Sequence, residues 1–459
     1  MQDIEPFAEA LPEAAPNALT RKEFLARTGL GLAAAGLAVA ADAQVPRRGN
    51  RPPTAQQAVP VKPESPPAKN TDPGKPTEPI KLEAWKAETE RKSPPTPSPQ
   101  PPDQRVGYAV VGLGHLTLDE LLPAFAQCKK SKLVALVSGD RDKALKVAKQ
   151  YGLAEKAIYN YQNYDTLRDN PEVQVIYIVL PNGLHEEFTV RGAKAGKHIL
   201  CEKPMANNSA QAQRMIDACK AANRKLMIAY RIQYEPHNRM VREMVRAKQY
   251  GKIKLIEASN GQNSANPDHW RHKAALAGGG ALPDIGIYCL NTIRYLLGEE
   301  PTEVFATQYS TPGDPRFREV EEQVLWQMKF PSGVQANCAT GYGYHEHRQY
   351  RVLSEKGWVM MQPAFAYKGL ELERSRAEGM AELSEKVKLM EKNQFATEID
   401  HMSECVQNNK TPFTPGEEGL QDHRIMEAIY QSAREGRPVK LAAVDKLDAF
   451  RGTEPAQEG

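Results

Sequence analysis

From Arg105 onward the chain alternates short unbroken apolar runs with stretches whose apolar positions recur every three or four residues. The runs VGYAVVGL, KLVALVSG, VQVIYIVLP, GKHILCEK and KLMIAYR are rich in Val and Ile and do not alternate with polar residues. That is the pattern of strands buried on both faces of a parallel sheet. The stretches between them predict helices at Leu116 to Cys128, Arg141 to Tyr151, His185 to Ala195 and Ser209 to Ala222. Such alternation predicts a doubly wound α/β domain over residues 105–229. After about Tyr230 a helix is followed by several strands, among them KIKLIEASN, EVFATQYS, EQVLWQMKF and VQANCATGYGY. A second, α+β domain over 230–450 with a largely antiparallel sheet is the simplest account.

The pattern in front of this body is different. Residues 44–104 hold 16 of the chain's 35 prolines, mixed with Gln, Ser, Thr and charges. Such a segment buries too little apolar surface to offset its ordering entropy, so an extended arm is expected. Within it only Ile80 to Lys92, with Leu82 and Trp85, has the pattern of a short helix. The arm reads either as a spacer or as a strap that orders on a neighbouring subunit. Earlier still, Thr20-Arg21-Lys22-Glu23-Phe24-Leu25 precedes the apolar run Gly29 to Ala41 and the sequence Ala41-Asp42-Ala43. A charged start, a short apolar run and an A-x-A site make residues 1–43 an export signal peptide, against the alternative of an amphipathic helix of the folded body. The run falls short of the roughly 20 residues a spanning helix needs, so no stable membrane anchor is expected. The leader resembles a twin-arginine signal with Lys22 in the place of the second arginine. The expected location is the periplasm.

The total of 459 residues is ample for two ordinary cores, and the formal charge is only +3. No Lys/Arg run interleaved with aromatics appears, so the sequence gives no footprint for nucleic acid and small ligands are the better expectation. The six cysteines (128, 201, 219, 289, 338 and 405) include no C-x-x-C pair, which signals neither a zinc knuckle nor a redox pair.

The first strand runs into Gly112-Leu113-Gly114-His115-Leu116-Thr117. Two glycines let the backbone approach a pyrophosphate, and the helix start behind them offers N–H groups and a positive dipole end. Strand, glycine turn and helix together predict a Rossmann dinucleotide site; Thr117 stands where a third glycine or alanine is usual. An NAD site usually has an acidic residue at the end of the second strand. Here the strand ends in Ser138-Gly139, with Arg141 and Lys143 beyond it. A hydroxyl and two cations suit a 2′-phosphate, so NADP is favoured; Asp140 either turns inward against this or caps the next helix.

The fifth strand closes on Cys201-Glu202-Lys203-Pro204-Met205. Glu202 and Lys203 are either a solvated pair or ligand-binding groups at the carboxyl edge of the sheet, where open α/β proteins bind ligands. In the second half, Gly278-Gly279-Gly280-Ala281-Leu282-Pro283-Asp284-Ile285-Gly286-Ile287-Tyr288 places a carboxylate and a phenol at i and i+4 on one helical face. A free phenol has a pKa near ~10 and is a poor base unless a nearby cation stabilises phenolate; Lys203 is the expected cation. His345-Glu346-His347 is a weaker candidate, for a metal without an evident third ligand.

The E-K-P after a G-K-H strand, taken with the glycine loop and the GGG helix, resembles the Gfo/Idh/MocA oxidoreductase family. Most members carry Asp-x-Gly-x-His on that helix; the tyrosine found here is that of members similar to glucose–fructose oxidoreductases. That resemblance covers nearly all of 106–440 through LVSGD, EKPMA, LMIAYR, RYLLGEEP, WQMKF and PGEEG, and fails in the arm. It implies Lys203, Asp284 and Tyr288 as the catalytic group, with Tyr288 as acid/base. It also implies NADP contacts from Gly112, Gly114, Ser138, Lys143, Tyr161, Asn182, Glu202 and Arg231, a substrate contact from Tyr367, and no metal. By the same resemblance Trp270-Arg271 is a cofactor or pocket contact, against the alternative of a structural cation–π pair. The implied activity is oxidation of an aldose to its lactone and reduction of a second sugar by the same bound cofactor, in a homo-oligomer. A simple dehydrogenase with exchangeable cofactor and a non-catalytic sensor are the competing readings. From the leader, N-terminal sequencing of protein taken from a two-membrane host is expected to begin near Gln44; an intact Met1 overturns the export reading.

Overall fold

The structure, a computed structural model, describes residues 100–455, so the leader and nearly all of the proline-rich arm lie outside the described residues. Six strands, β1 (Val106–Val111), β2 (Ser131–Val137), β3 (Ile158–Tyr159), β4 (Val175–Ile178), β5 (His198–Glu202) and β6 (Leu226–Ala229), form one sheet. Its order is β3-β2-β1-β4-β5-β6 and every pair is parallel. All five expected runs are strands, and the two-residue β3 joins them. β1 and β4 are buried along their whole length, which is why their sequences do not alternate. Helices Arg141–Gln150, His185–Lys194 and Ser209–Ala221 end within a residue of expectation. Asp140 and Asn208 cap two of them, accepting from the backbone N–H of Lys143 and Gln211 (both 2.9 Å). The helix after the glycine loop is built of two segments, Leu116–Leu121, widened to π-type turns, and Leu122–Phe125.

The second sheet comprises β7 (Ile253–Asn263), β8 (Glu303–Tyr309), β9 (Gln323–Lys329), β10 (Gln335–Gly341), β11 (Gly343–Ser354), β12 (Gly357–Met361), β13 (Leu372–Glu378), β14 (Ala381–Val387) and β15 (Val439–Lys440). The order is β14-β13-β12-β11-β7-β10-β9-β8-β15. All neighbours are antiparallel except β7 and β10, a parallel pair at the centre. The chain leaves β7 through helix Ile287–Leu297 and reaches β10 only after β8 and β9, so β10 arrives by a crossover and runs the same way. β9 alternates buried and exposed positions, with Val324, Trp326 and Met328 facing inward.

Helix Gln394–Gln407 follows β14 of the second sheet in sequence but covers the first. Phe395, Ile399 and Met402 pack with Val106, Tyr108, Val110 and Tyr177 in one apolar cluster. The Tyr108 hydroxyl donates to the Ile399 carbonyl (2.8 Å), and Asp400 accepts from the backbone N–H groups of Lys129 and Lys130 (2.6 and 2.9 Å). The opposite face of the parallel sheet belongs to a second apolar cluster through Ala109, Val111, Ile176, Ile178, Ile199 and Cys201. Dividing the chain at residue 230 therefore follows the two sheets but not the two cores.

Arg294 on helix Ile287–Leu297 is a charged group with no exposed surface. Its guanidinium donates to Glu300 (2.7 and 2.8 Å), Asp422 (2.5 Å) and Glu418 (3.1 Å). Glu418 and Asp422 lie on helix Gly416–Glu435. Asn291 donates to both (2.9 Å each), and Arg451 donates to Glu418 (2.7 Å). A guanidinium removed from water needs such charged, forked acceptors to recover its hydration. Arg294→Met leaves three buried carboxylates short of their cation, and a loss of roughly 3–5 kcal/mol is expected by urea denaturation. Breaking the exposed Lys254–Glu355 pair (3.1 Å) with Lys254→Ala is expected to cost less than about 1 kcal/mol in the same assay; equal losses overturn this ranking.

Candidate active site

At the end of β1 the chain turns through Gly112 at φ +96°, where a Cβ would stand 2.2 Å from the Val179 carbonyl oxygen. No other residue fits there. A Cβ on Gly114 would meet nothing within 4 Å, so the second glycine borders open space. Thr117, fully buried, donates its hydroxyl to the Gly112 carbonyl (2.6 Å). The threonine that replaces the usual small residue thus ties the helix start back onto the loop. This turn and the wound segments behind it fit a pyrophosphate.

The end of β2 lies beside it. The buried Ser138 hydroxyl closes a turn on Asp140, accepting from its N–H and reaching its carbonyl (3.1 Å each). Because the Asp140 carboxylate caps the next helix, it is drawn away from an inward role. Arg141 pairs with Glu155, while Lys143 is exposed. Tyr161 stands edge-on to Phe188 (5.5 Å between rings), and burial pushes its phenol up to about 12, against a small opposing effect of the Gly139 backbone. Ser138, Lys143 and Tyr161 therefore gather around the β2 turn, away from the E-K-P stretch.

β4 and β5 deliver the next groups. The Asn182 side chain donates to the Ala277 carbonyl (2.8 Å) and Asn207 to the Ala275 carbonyl (2.9 Å), clamping the short helix Ala274–Ala277 of the second half onto the sheet edge. The His185 ring sits between the Pro204 and Leu180 carbonyl oxygens (2.9 and 2.8 Å), holding the two strand ends together. Glu202 is buried and accepts from the Tyr177 hydroxyl (2.7 Å). Burial raises its carboxyl above the usual range despite the pull of Tyr177 and Lys203. The same hydroxyl lies 3.4 Å from Glu398, a fully buried carboxyl raised by burial and by Glu202. Glu398 was invisible to sequence reasoning, since nothing local marks which helical glutamate will be buried.

Lys203 and Asp284 meet across the two halves. Lys203 Nζ donates to the Asp284 backbone oxygen (2.7 Å) and lies 3.7 Å from its Oδ1. Asp284 Oδ2 accepts from Arg271 Nε (2.8 Å) and from the Tyr342 hydroxyl (2.6 Å). Burial alone would raise this carboxyl; Arg271, Lys203 and Tyr342 outweigh it and hold it at about 2. Trp270 and Arg271 realise both of their expected readings, because Arg271 lies over the Trp270 ring (4.5 Å) while bonding Asp284.

Tyr288, half-buried, stacks on Phe365 (5.8 Å, 27°). The cation at its oxygen is Arg231, whose Nε donates at 3.2 Å; Lys203 lies instead over the ring face, 4.7 Å from its centre. Lys203, the expected cation, thus lies beside the phenol as expected but at its ring face, and Arg231 takes the place at the oxygen. The remaining nitrogens of Arg231 bond the Ala366 and Phe365 carbonyls and Gln394 (3.1, 2.7 and 2.7 Å), so this expected cofactor contact is committed to protein. Tyr367 lies over the other side of Arg231 (4.5 Å) and against Phe395. Tyr342, Phe365 and Gln394 carry no local signal in the sequence. His345 and His347 lie on β11, and no cluster of three metal-ligating side chains occurs among the described residues.

The oxidoreductase family with an NAD-binding Rossmann fold matches residues 106–230, and the GFO/IDH/MocA C-terminal domain matches 238–360. A D-xylose 1-dehydrogenase [NADP(+)] of Haloarcula marismortui is 31% identical over 346 residues, 74% of this chain and 94% of that protein. A second such enzyme, from Haloferax volcanii, is 25% identical over 338 residues, 73% and 99% of the two chains. Among solved structures, an aldose–aldose oxidoreductase from Caulobacter crescentus complexed with glycerol is 44% identical, covering 73% of this chain and all of the other, with a TM-score of 0.71. The two sheets, the glycine turn and the E-K-P lysine facing the GGG helix are thus parts of one inherited design, and the chain belongs to the Gfo/Idh/MocA oxidoreductase family.

Proposed function

We propose that this chain is an exported NADP-dependent sugar oxidoreductase that oxidises an aldose at its anomeric carbon and reduces a second sugar with the same bound cofactor. The observation that carries the reading is the Tyr288 phenol oxygen, 3.2 Å from Arg231 Nε and flanked by Lys203, at the carboxyl edge of the parallel sheet. Gly112, Gly114 and the helix start would hold the pyrophosphate; Ser138, Lys143 and Tyr161 would face the adenosine end; Asn182 and Glu202 stand nearer the reacting end. Bound NADP supplies a hydride acceptor that later returns the hydride.

The side chains supply the proton chemistry. Tyr288 takes the proton of the anomeric hydroxyl, and the adjacent guanidinium of Arg231 favours the charge this needs. Lysine has three donors, and only one of those on Lys203 is used on the Asp284 carbonyl, so others remain to orient the reacting oxygen. Asp284, ionised at neutral pH, keeps Oδ1 for a sugar hydroxyl because Oδ2 is taken by Arg271 and Tyr342. Tyr367 closes the pocket wall.

Three features support the finer parts of the reading. The similar structure named for a reaction between two aldoses is 44% identical over its whole length, and the leader supports export. Exposed Phe305, Tyr309 and Leu325 on one face of the second sheet support assembly into a homo-oligomer. The NADP-dependent xylose dehydrogenases among the relatives favour a second reading, a dehydrogenase that releases its cofactor. Dialysed protein that keeps its nicotinamide absorbance supports the first reading; loss of absorbance with multiple turnovers on added NADP supports the second.

In stopped-flow mixing of NADP-loaded enzyme with aldose, Tyr288→Phe is expected to slow reduction by roughly 10²-fold or more while NADP stays bound. Lys203→Ala is expected to be comparably slow, and the double mutant little worse, since groups acting as a unit are not additive. Near-normal rates in both single mutants overturn the assignment. Ser138→Asp is expected to weaken NADP more than NAD in fluorescence titration of apoprotein, because it sets an anion near the 2′-phosphate; equal losses count against NADP preference.

A further inference from the structure

The run Gly278-Gly279-Gly280 in front of Asp284 and Tyr288 has a cause outside itself. A Cβ on Gly279 would stand 2.3 Å from the Tyr430 hydroxyl, and one on Gly280 2.0 Å from the Glu321 backbone oxygen. Two residues distant in sequence thus press on the chain at successive positions, and only glycine allows so close an approach. Glu321, 8% exposed, stands two residues before β9. Its Oε2 accepts from the Gly280 backbone N–H (2.7 Å) and its Oε1 from the Leu282 backbone N–H (3.0 Å). Oε1 also accepts from the hydroxyl of Tyr430 (2.9 Å), on helix Gly416–Glu435.

Leu282 opens the π-type segment Leu282–Gly286, which runs directly into helix Ile287–Leu297. The first N–H groups of such a helical stretch have no partner within it. The usual capping place is held by Ala281, which has no side-chain oxygen to offer. Glu321 supplies that oxygen from another part of the chain. All three of its partners donate, so the ionised carboxylate is the form that satisfies them, and an anion suits the positive end of a helix. Burial works against this and pushes the carboxyl above its ordinary range, while the backbone N–H groups of Leu282 and Gly280 pull it down.

We propose that Glu321 is a positioning residue for hydride transfer: by gripping Gly280 and Leu282 it fixes the turn from which Asp284 and Tyr288 project, and with that turn the place of the Lys203 ammonium. This role rests on those given above to Lys203, Asp284 and Tyr288. The link to the lysine is short, because Lys203 Nζ donates to the backbone carbonyl of Asp284 (2.7 Å), two residues beyond the gripped Leu282. A shift of the turn moves that carbonyl, the Oδ1 kept for a sugar hydroxyl and, through the helix start, the phenol. The far part of the same helix is held by Arg294 on Glu418 and Asp422, so Glu321 holds the end which that cluster does not reach. Its own hydrogen bonds go to Gly280, Leu282 and Tyr430, and it acts on the catalytic group through the backbone.

The test is stopped-flow reduction of NADP-loaded enzyme by saturating aldose in Glu321→Gln, Glu321→Ala and Tyr430→Phe, read as both rate and amplitude, with the sugar KM and a fluorescence titration of NADP. Glutamine keeps the shape but has one accepting oxygen, so one N–H of the turn is left facing a donor. Since a misplacement of about 1 Å costs on the order of 10²-fold, both Glu321 variants are expected to slow reduction by roughly 10-fold or more at full amplitude, with a raised sugar KM and unchanged NADP affinity. Loss of a residue that only stabilises the fold leaves fewer competent molecules, so amplitude falls while rate and KM stay. That outcome, an equal loss of NADP affinity, or wild-type rate and amplitude overturns the proposal. Tyr430→Phe removes one of the three bonds and is expected to slow the step less, again at full amplitude; where the Glu321 variants yield no folded enzyme, a wild-type rate in Tyr430→Phe overturns it. If Tyr288→Phe is slow while Glu321→Gln is normal, only the role of Glu321 fails; if Tyr288→Phe is normal, the reading of the catalytic group fails first.

Discussion

The burial of Arg294 is the constraint on which the site depends. A guanidinium with no exposed surface is costly unless acceptors surround it, and here they come from its own helix end and from helix Gly416–Glu435. Those carboxylates would be equally costly alone. The mutual need fixes the two helices against each other in one register. Helix Ile287–Leu297 carries Tyr288 at its first turn and Asn291 one turn on, so the position of the phenol is set by a charge cluster two turns deeper in the protein. Precision of this kind is what proton transfer between side chains requires.

A second effect works at the surface of that scaffold. Three cations, Lys203, Arg231 and Arg271, converge on a pocket whose nearest ionised carboxylate is Asp284. The excess of positive charge in a poorly hydrated place favours anionic oxygen, whether on the phenol or on a reacting sugar. Asp284 limits that excess and holds two of the cations apart. The buried Glu202 and Glu398 on the other side of Arg231 are both raised by burial, so they oppose the positive field less than two ordinary carboxylates would.

Much of this was legible in the sequence, and what was not has a common cause. The strands of the first sheet were readable because full burial writes an unbroken apolar run, and the ends of three helices because Asp140, Asn208 and the apolar period mark them locally. The meeting of Lys203 with Asp284 followed from placing each on its element, although the partner atom is a backbone carbonyl. Thr117 stood out only as a departure from the usual glycine or alanine; that it ties the loop through its hydroxyl was not readable. The partners of the phenol and of Asp284 were hidden: Arg231 and Tyr342 each lie 57 or more residues from the group they bond, and only tertiary packing decides where their polar ends go. The central parallel pair β7 and β10 was hidden for the same reason, since strand direction is a property of the crossover rather than of the strand.

The helix Gln394–Gln407 gives the chain a particular history on the ribosome. Its apolar side covers Val106, Tyr108 and Val110, and the Tyr108 hydroxyl bonds a carbonyl 291 residues later. A nascent chain that has emerged only as far as β6 therefore lacks part of the cover for one face of its first sheet, the rest of which comes from helices 116–125 and 141–150. Domains commonly fold in order as they are synthesised, but the core of this nucleotide-binding half is completed only when residues 394–407 arrive, nearly at the end of the polypeptide.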